Sequence, residues 1–418
     1  MWKLFRNIIV LLAAFTAYQV WFHSHDTEIR ELRAKEIAAV EEVKVAILWP
    51  FTLSGRPAVF FREGVELAIA EINADGGLRG KPLRAVYFDN RGEVALNARL
   101  SRNISRDPSF HALIGSYFSG LALDTLVATQ SKNLFYVMIG AEAPALTGYS
   151  FTHAVRAHFN ASDYIDTLAR HLTCRQYKKL AIIQDQSEYS TVSSAELIKA
   201  FKDLGGEETT ERIVPTWIND FRPVLVDDKI EHADAMYLTV SFEQMPQLLK
   251  QIHEFGINAD LYGNSGLIRS STPEVLGSAG DGLKILSPLK SMATWSVAGE
   301  GPQRAQKLIP VKTKHTGVAA KFYSSFRQKY GEPPDLWARE GYDGILLFAE
   351  AVRKTGTLEA SALFSYIRFQ ESWELAKGAI HFTENGDMAE ETFYLMQVRD
   401  GAFILPEGDV PVHDCSLQ

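Results

Sequence analysis

Short apolar runs of strand length alternate with stretches of helical periodicity along most of this chain. The run Val45–Leu48 is four apolar residues long, which is typical of a strand buried on both faces. The stretch after it carries apolar residues three or four positions apart, at Phe61, Val65, Ile69 and Ile72. Such spacing predicts a helix with one buried face, and repeated strand–helix units predict a parallel sheet covered by helices.

The alternation forms two series, separated by an Ala-, Pro- and Gly-rich stretch at 140–156. Further strands of the first series are predicted at 84–88, 111–114 and 134–139, and those of the second at 180–184, 212–215, 235–239, 260–262 and 284–286. Helices at 317–330, 336–355 and 358–369 and extended runs at 378–382 and 392–398 complete the pattern. The predicted fold class is therefore α/β, with two similar Rossmann-like lobes and a cleft at the carboxyl ends of their strands.

An uncharged apolar run from Asn7 to Phe22 follows Lys3 and Arg6 near the N-terminus. Aromatic residues flank the run and no small-residue cleavage site follows it, so an uncleaved transmembrane helix is favoured over a removed signal peptide. The two basic residues place the N-terminus in the cytoplasm and predict export of the remainder. The expected terminal segments are a membrane anchor or uncleaved signal at 1–25, a helical stalk or flexible linker at 26–42, and a surface tail at 406–418.

Composition narrows the range of functions. The chain has 43 basic and 51 acidic residues and a net charge of −8, so nucleic acid is not an expected partner. The two cysteines, Cys174 and Cys415, exclude a cysteine-built metal site and leave one disulfide possible. The chain lacks the spacing of a nucleophile elbow, a zinc-binding helix and a phosphate loop. It is therefore expected to be no enzyme and to carry no catalytic residue, metal or cofactor.

Two loops that follow predicted strands offer binding chemistry. The turn Gly115–Gly120 opens a helix, and its free N–H groups and the Ser119 hydroxyl suit a carboxylate, although Ser119 also suits a simple helix cap. Glu142 lies in the apolar loop 140–144, where its carboxylate either binds a ligand cation or faces water. The residues alone leave both alternatives open.

Residues 64–81, GVELAIAEINADGGLRGK, resemble the opening helix and turn of the type I periplasmic solute-binding proteins, in particular the leucine/isoleucine/valine-binding type that serves ABC importers. Similarities in order and spacing continue over about residues 43–400, and include Gly140-Ala141 and Tyr342-Asp343-Gly344. The resemblance implies two lobes that are joined by three hinge strands and close on a ligand. The implied bounds are 43–156 plus 287–381 for lobe 1, and 157–286 plus 382–405 for lobe 2.

The resemblance also implies which residues form the binding site. By position, Ser119 holds a ligand carboxylate, the Ala141 carbonyl and residue 142 hold an ammonium group, and Tyr189 closes over the ligand. The positions that line the side-chain pocket of the family are occupied here by Phe60, Tyr117 and Phe242.

Two positions depart from the family pattern. Ser265 replaces the acidic residue that pairs with the ammonium group, and Glu142 stands where a threonine is usual. One interpretation is that the acid has moved across the cleft, so that an amino acid or another cation is still paired. The other is that Glu142 serves a different ligand.

The function implied by the resemblance is capture of a small polar ligand, an amino acid or an amide-like compound, for an ABC permease. The protein would act on the extracytoplasmic side, anchored to the inner membrane by its N-terminal helix. The alternative is a ligand-sensing receptor or accessory domain that signals to a membrane partner. The uncleaved anchor favours this alternative, because a tethered protein cannot diffuse between permeases.

Overall fold

The computed structural model describes residues 28–52, 55–149, 151–289, 296–297, 308–309, 316–389, 391–406 and 411–412. The predicted membrane anchor at 1–25 and most of the predicted tail lie outside these residues. Within the described ranges, no helix has the length and apolar character needed to cross a bilayer.

The first lobe is built on a five-stranded parallel sheet with the strand order β2-β1-β3-β4-β5. Its strands β1 to β5 are Val43–Trp49, Leu83–Asp89, Ala112–Gly115, Phe135–Met138 and Ala154–Arg156. The helices between them, α1 to α4, are Arg56–Ala74, Val94–Arg106, Ser119–Ser131 and Ala145–Gly148. All strands of this sheet therefore end at the same edge, which is the edge that faces the second lobe.

The central strand β1 shows why both faces of this sheet are covered. Val45, Ile47 and Trp49 contribute to one apolar cluster, and Ala46 and Leu48 contribute to another on the opposite face. Successive side chains of a strand point to opposite faces, so an uninterrupted apolar run needs helices on both sides. The sequence therefore predicted this strand correctly from its composition alone.

The second lobe is built on a seven-stranded mixed sheet with the strand order β16-β15-β10-β9-β8-β6-β7. Its parallel strands β6 to β10 are Lys179–Asp185, Glu208–Val214, Ala235–Thr239, Asp260–Gly263 and Lys284–Ser287. Its helices α5 to α10 are Ala161–Cys174, Glu188–Asp203, Arg222–Leu225, Asp228–Glu231, Met245–Glu254 and Thr272–Leu276. Short 3₁₀ helices lie at Ser265–Leu267 and Gly277–Gly280.

The last third of the chain returns to the first lobe and then again to the second sheet. Its elements are β11 and β12 at Ser296–Val297 and Leu308–Ile309, α11 to α13 at Gly317–Tyr330, Leu336–Thr355 and Ala360–Phe369, and β13 to β16 at Trp373–Leu375, Gly378–Ile380, Tyr394–Arg399 and Ala402–Ile404. Strand β15 joins the second sheet antiparallel to β10, and β16 pairs antiparallel with β15 at the edge of the sheet. The chain thus passes between the two sheets three times, near residues 157, 288 and 385, while the exact lobe bounds stay a prediction.

Helices α1 and α12 pack closely although they are far apart in sequence. A β-carbon on Gly64 would overlap the main-chain carbonyl of Ala338, and one on Gly341 would overlap the carbonyl of Phe61. Both glycines therefore hold positions where any side chain would push the helices apart. Gly64 belongs to the run of residues that carries the family resemblance, and this contact is its physical role.

Residues 28–42 differ from both expectations for this segment, a helical stalk and a flexible linker. They pack against the first lobe, and Ile29 is buried there. Arg33 is also buried, and its guanidinium donates to the main-chain carbonyls of Phe110 and Ser105. A guanidinium has five N–H donors, so it can satisfy several carbonyls at once and fix the segment in place. The sequence could not show this, because Arg33 is one of several charged residues on an amphipathic pattern.

Candidate functional site

A cavity of about 360 Å³ lies between the carboxyl ends of the strands of the two lobes. Its size is at the small end of the range for ligand pockets. Its wall contains five aromatic side chains, three carboxylates, one guanidinium and several hydroxyl groups. The lining residues with side chains are Tyr117, Phe118, Ser119, Glu142, Asp185, Ser187, Tyr189, Ser190, Val240, Ser241, Phe242, Glu243, Asn264, Ser265, Arg269 and Trp337.

Ser119 is the first residue of α3 and reaches the cavity through the turn that follows β3. Its Oγ accepts hydrogen bonds from the main-chain N–H groups of Glu142 and Ala143, each at 3.1 Å. Since these bonds use the oxygen as an acceptor, the hydroxyl proton is left to donate. The first N–H groups of α3 have no helical partners and add positive electrostatic potential at the same place. This corner of the cavity therefore suits a carboxylate.

Glu142 and Ser265 meet across the cleft. The Ser265 hydroxyl lies 2.8 Å and 3.0 Å from the two carboxylate oxygens of Glu142, and the Tyr189 hydroxyl lies 2.9 Å from Ser265 Oγ. A carboxylate only accepts, so Ser265 donates to Glu142 and Tyr189 donates to Ser265. Burial raises the pKa of Tyr189 well above its ordinary value, which keeps the phenol protonated as a donor. The three side chains form one chain of hydrogen bonds from lobe 2 to lobe 1.

His158 lies behind Glu142 and is fully buried. Its Nε2 is 3.5 Å from Glu142 and its Nδ1 is 3.3 Å from Glu340, while its ring stacks on Trp337 at 5.8 Å. Burial by itself lowers the pKa of an imidazole, but the Glu340 and Glu142 carboxylates outweigh it, so the pKa of His158 is raised. The raised pKa favours the protonated imidazole, whose positive charge faces Glu142 from the side opposite the cavity.

The negative charge of Glu340 is compensated in turn. Burial alone raises the pKa of its carboxyl, but Lys377, His158 and Arg339 together hold it well below the ordinary value. Lys377 Nζ lies 3.0 Å from Glu340, and Arg339 Nη2 lies 3.0 Å from it as well. Glu142 is thus the cavity end of a buried series of alternating charges.

The same basic residues hold the crossings between the lobes. Lys377 donates to the carbonyl of Ala157 at 2.7 Å, and Arg339 donates to that of Pro288 at 3.4 Å. These carbonyls belong to the first and second crossings. The third crossing is linked to the first by the ion pair between Arg156 and Asp387. The charges behind the cavity and the segments that cross between the lobes therefore form one connected group.

Arg156, at the end of β5, pairs with Asp387 in a bidentate geometry at 2.7 Å and 2.6 Å. Its Nη1 donates to the carbonyls of Ala141 and Ala143 at 3.2 Å and 2.8 Å, and its Nη2 also donates to the Thr147 hydroxyl at 3.2 Å. Paired Arg and carboxylate groups of this kind are the strongest common ion pairs in proteins. Arg156 therefore joins the first and third crossings to the loop that carries Glu142.

The structure places six of the eight expected site residues in the cavity wall and two elsewhere. Ala141 is fully buried and its carbonyl accepts from Arg156 at 3.2 Å, so it is not among the residues that line the cavity. Phe60 is buried inside lobe 1 and stacks on Phe326 at 6.1 Å, so it does not line the cavity. The six residues brought together are Tyr117, Ser119, Glu142, Tyr189, Phe242 and Ser265.

Sequence reasoning missed Arg269, Trp337, His158 and its partner Glu340. Arg269 lies only four residues after Ser265, so its place in the same loop was the one signal available. Trp337 and Glu340 lie on α12, far along the chain, where no local pattern points to the cavity. Among the described residues, no group of three or more His, Cys, Asp or Glu side chains could hold a metal ion.

Comparison with known proteins identifies the family. Residues 42–402 match the model of the periplasmic binding protein family. The chain is 24% identical over 395 residues to Leu/Ile/Val-binding protein homolog 7 of Brucella abortus, covering 90% of this chain and 94% of the relative. It is 21% identical over 360 residues to the leucine-, isoleucine-, valine-, threonine- and alanine-binding protein of Pseudomonas aeruginosa, covering 85% and 89%.

A leucine-binding protein from Thermotoga maritima has a similar fold, with a TM-score of 0.74, 21% identity, and coverage of 87% of this chain and 99% of that one. The α/β fold with two lobes and the family model, which covers most of the chain, agree with the resemblance found in residues 64–81. This chain therefore belongs to the type I periplasmic binding protein family, as those residues predicted.

Proposed function

We propose that this chain captures an amino acid or a closely related small zwitterion between its lobes and delivers it to an ABC-type permease on the extracytoplasmic side of the membrane. The observation that carries the proposal is the hydrogen-bonded chain from Tyr189 through Ser265 to Glu142, which crosses the cleft beside the N-terminus of α3. One corner of the cavity suits a carboxylate and the neighbouring Glu142 suits an ammonium group. The two groups of an amino acid have this complementarity.

The names of the relatives support the same ligand class, because they are described as binding leucine, isoleucine and valine. Glu142 takes the part that an acid after β9 would otherwise have, since Ser265 occupies that place and donates to Glu142. We therefore assign Ser119 to the ligand carboxylate, Glu142 to its ammonium group, and Tyr189, Tyr117 and Phe242 to its remaining surface.

A thermal-shift screen of the full-length chain against amino acids, amides and polyamines, followed by isothermal titration calorimetry, tests this function. A ligand that binds only the folded state raises Tm in proportion to the logarithm of its concentration over Kd. We expect stabilisation by at least one amino acid. Turnover of a bound compound, or the absence of any stabilising compound, would contradict the proposal.

The N-terminal segment is proposed to anchor the protein to the inner membrane. The apolar run from Asn7 to Phe22 and the basic residues before it support this assignment. After cell fractionation and an alkaline wash, the wild-type protein should remain in the membrane pellet. A variant with Leu11→Arg and Leu12→Arg should leave the pellet, because charge in the bilayer centre opposes insertion. Wild-type protein in the soluble fraction would show that the segment is not an anchor.

Sensing is the second candidate function, and the proposed anchor is the observation that favours it. A tethered binding protein stays beside one membrane partner, which suits a receptor as well as an importer. Uptake of the radiolabelled ligand in a deletion strain separates the two functions. Lost uptake supports import, whereas normal uptake with a lost transcriptional response supports sensing.

A further inference from the structure

Arg269 is the one basic side chain that lines the described part of the cavity wall. It follows the short 3₁₀ helix after β9 in lobe 2 and is half-buried. Its Nε donates to the carbonyl of Gly266 at 2.8 Å, its Nη2 donates to the Tyr117 hydroxyl at 2.9 Å, and its guanidinium lies 4.2 Å from the centre of the Phe242 ring. Three contacts therefore fix the plane of the guanidinium.

None of these three contacts supplies a negative charge. A carbonyl and an aromatic ring are neutral, and burial raises the pKa of Tyr117, which keeps its phenol protonated. No carboxylate of the described residues pairs with Arg269 within ion-pair distance, although Glu142, Asp185 and Glu243 line the same cavity. By contrast, Glu142 has the buried His158 ring 3.5 Å away and accepts a hydrogen bond from Ser265. Glu142 therefore has a basic neighbour, whereas Arg269 has no acidic side chain in contact among the described residues.

A guanidinium that has lost part of its hydration gains most from an anion, and a planar fork of N–H groups matches a carboxylate. The contacts to Gly266 and Tyr117 use Nε and one hydrogen of Nη2, so Nη1 and the second hydrogen of Nη2 are left to donate together. A carboxylate in the cavity can accept from both.

We propose that Arg269 binds a carboxylate of the ligand, so that the preferred ligand is an organic acid with an acidic group in addition to the one held at Ser119. The favoured class is an acidic amino acid, whose ammonium group lies at Glu142. An aromatic carboxylate shares the chemistry at Arg269 and fits the aromatic wall, but it brings no ammonium group to Glu142. This inference rests on the proposed function and narrows it.

Pairs of acids and amides of the same shape test the proposal by isothermal titration of the full-length protein. L-glutamate is compared with L-glutamine, and benzoate with benzamide. We expect glutamate to bind the wild type at least tenfold tighter than glutamine, and benzoate to bind more weakly than glutamate. Tighter binding of benzoate would assign Arg269 to an aromatic acid and overturn the amino acid assignment.

Variants of Arg269 separate charge recognition from a structural role. Arg269→Gln should lower the ratio of the affinities for glutamate and glutamine tenfold or more. Arg269→Lys should retain part of the preference for glutamate. Arg222→Gln, at an exposed arginine of the same lobe, is the matched control and should leave the ratio unchanged.

The failure of this inference differs from the failure of the proposed function. Wild-type protein that binds neutral amino acids and shows no preference for acids overturns the role of Arg269 and leaves solute binding intact. Wild-type protein that binds none of the amino acids or organic acids overturns both. An unchanged acid-to-amide ratio in folded Arg269→Gln shows that Arg269 only links Tyr117 to lobe 2.

Discussion

Ser265 in lobe 2 donates its hydroxyl to Glu142 in lobe 1, with Ser265 Oγ 2.8 Å and 3.0 Å from the two carboxylate oxygens. The bond therefore holds the lobes together at the place where a ligand cation would bind. A ligand ammonium group bound at Glu142 would donate to a carboxylate that Ser265 already holds in position. The contact between the lobes and the proposed recognition of an ammonium group thus share one carboxylate.

Glu142→Gln should weaken binding of amino acids by about 1.5 to 3 kcal/mol, because a hydrogen bond to a charged partner is replaced by one to a neutral amide. Isothermal titration with an amino acid and with its deaminated analogue measures the effect. The analogue lacks the ammonium group and should lose much less affinity. Equal losses for both ligands would show that Glu142 does not recognise the ammonium group.

Ser119→Ala and Tyr189→Ala should each weaken ligand binding by about 1 to 3 kcal/mol, since each removes a polar group that faces the cavity. Ser119→Ala also leaves the N–H groups of Glu142 and Ala143 without their acceptor. Ser361→Ala, at an exposed serine on α13, is the control and should bind as the wild type does. Wild-type affinity in both cavity variants would show that neither Ser119 nor Tyr189 contacts the ligand.

Replacing Asp387 should destabilise the protein through the crossings between the lobes. Asp387→Ala leaves the buried guanidinium of Arg156 without its counter-charge, and such a loss costs about 3 to 5 kcal/mol. Asp220→Ala breaks an exposed pair with Arg222 that has the same bidentate geometry, at 2.7 Å and 2.9 Å, and should leave stability nearly unchanged because water screens the pair. Urea unfolding of the two variants measures the difference, and equal effects would contradict the importance of burial.

The pH dependence of stability should report the charge of His158. Its folded pKa is raised above the value of about 6.5 expected for the unfolded chain, so its protonation stabilises the fold fully below that value. This stabilisation is lost as the pH rises through the folded pKa. The difference in unfolding free energy between wild type and His158→Gln should therefore be larger at pH 6 than at pH 9.

The comparison with His158→Gln isolates this group from others that titrate nearby. Burial raises the pKa of Asp335 to about 7, and that carboxyl also loses stabilising protonation as the pH rises. Because Asp335 is present in both proteins, its contribution cancels in the difference. A difference that grows with pH would show that His158 is neutral between Glu142 and Glu340.

The sequence predicted the order of the helices and strands better than it predicted which residues line the cavity. Strands buried on both faces, such as β1, have continuous apolar runs that indicate their place directly. The start of β7 was placed too late, at Arg212 instead of Glu208, because an edge strand is only half covered and its polar residues hide the pattern.

The site residues next to strand ends were predictable because parallel strands deliver their following loops to one edge. The same reasoning could not show whether Phe60 lines the cavity. Helix α1 is covered by the sheet on one face and by α12 on another, so its apolar positions do not reveal which of them faces a ligand. Arg269 was missed because a single arginine in a loop has the same sequence signature whether it faces water or a cleft.

The contact between α1 and α12 also sets an order of events during biosynthesis. Gly64 is made early, whereas Ala338 and Gly341 are made only after more than half of the chain has followed. The apolar face of α1 is covered only after α12 has been synthesised. The nascent first lobe therefore exposes an apolar surface until late in synthesis. Folding of the first lobe therefore requires a contact between segments that lie far apart in the sequence, which slows folding.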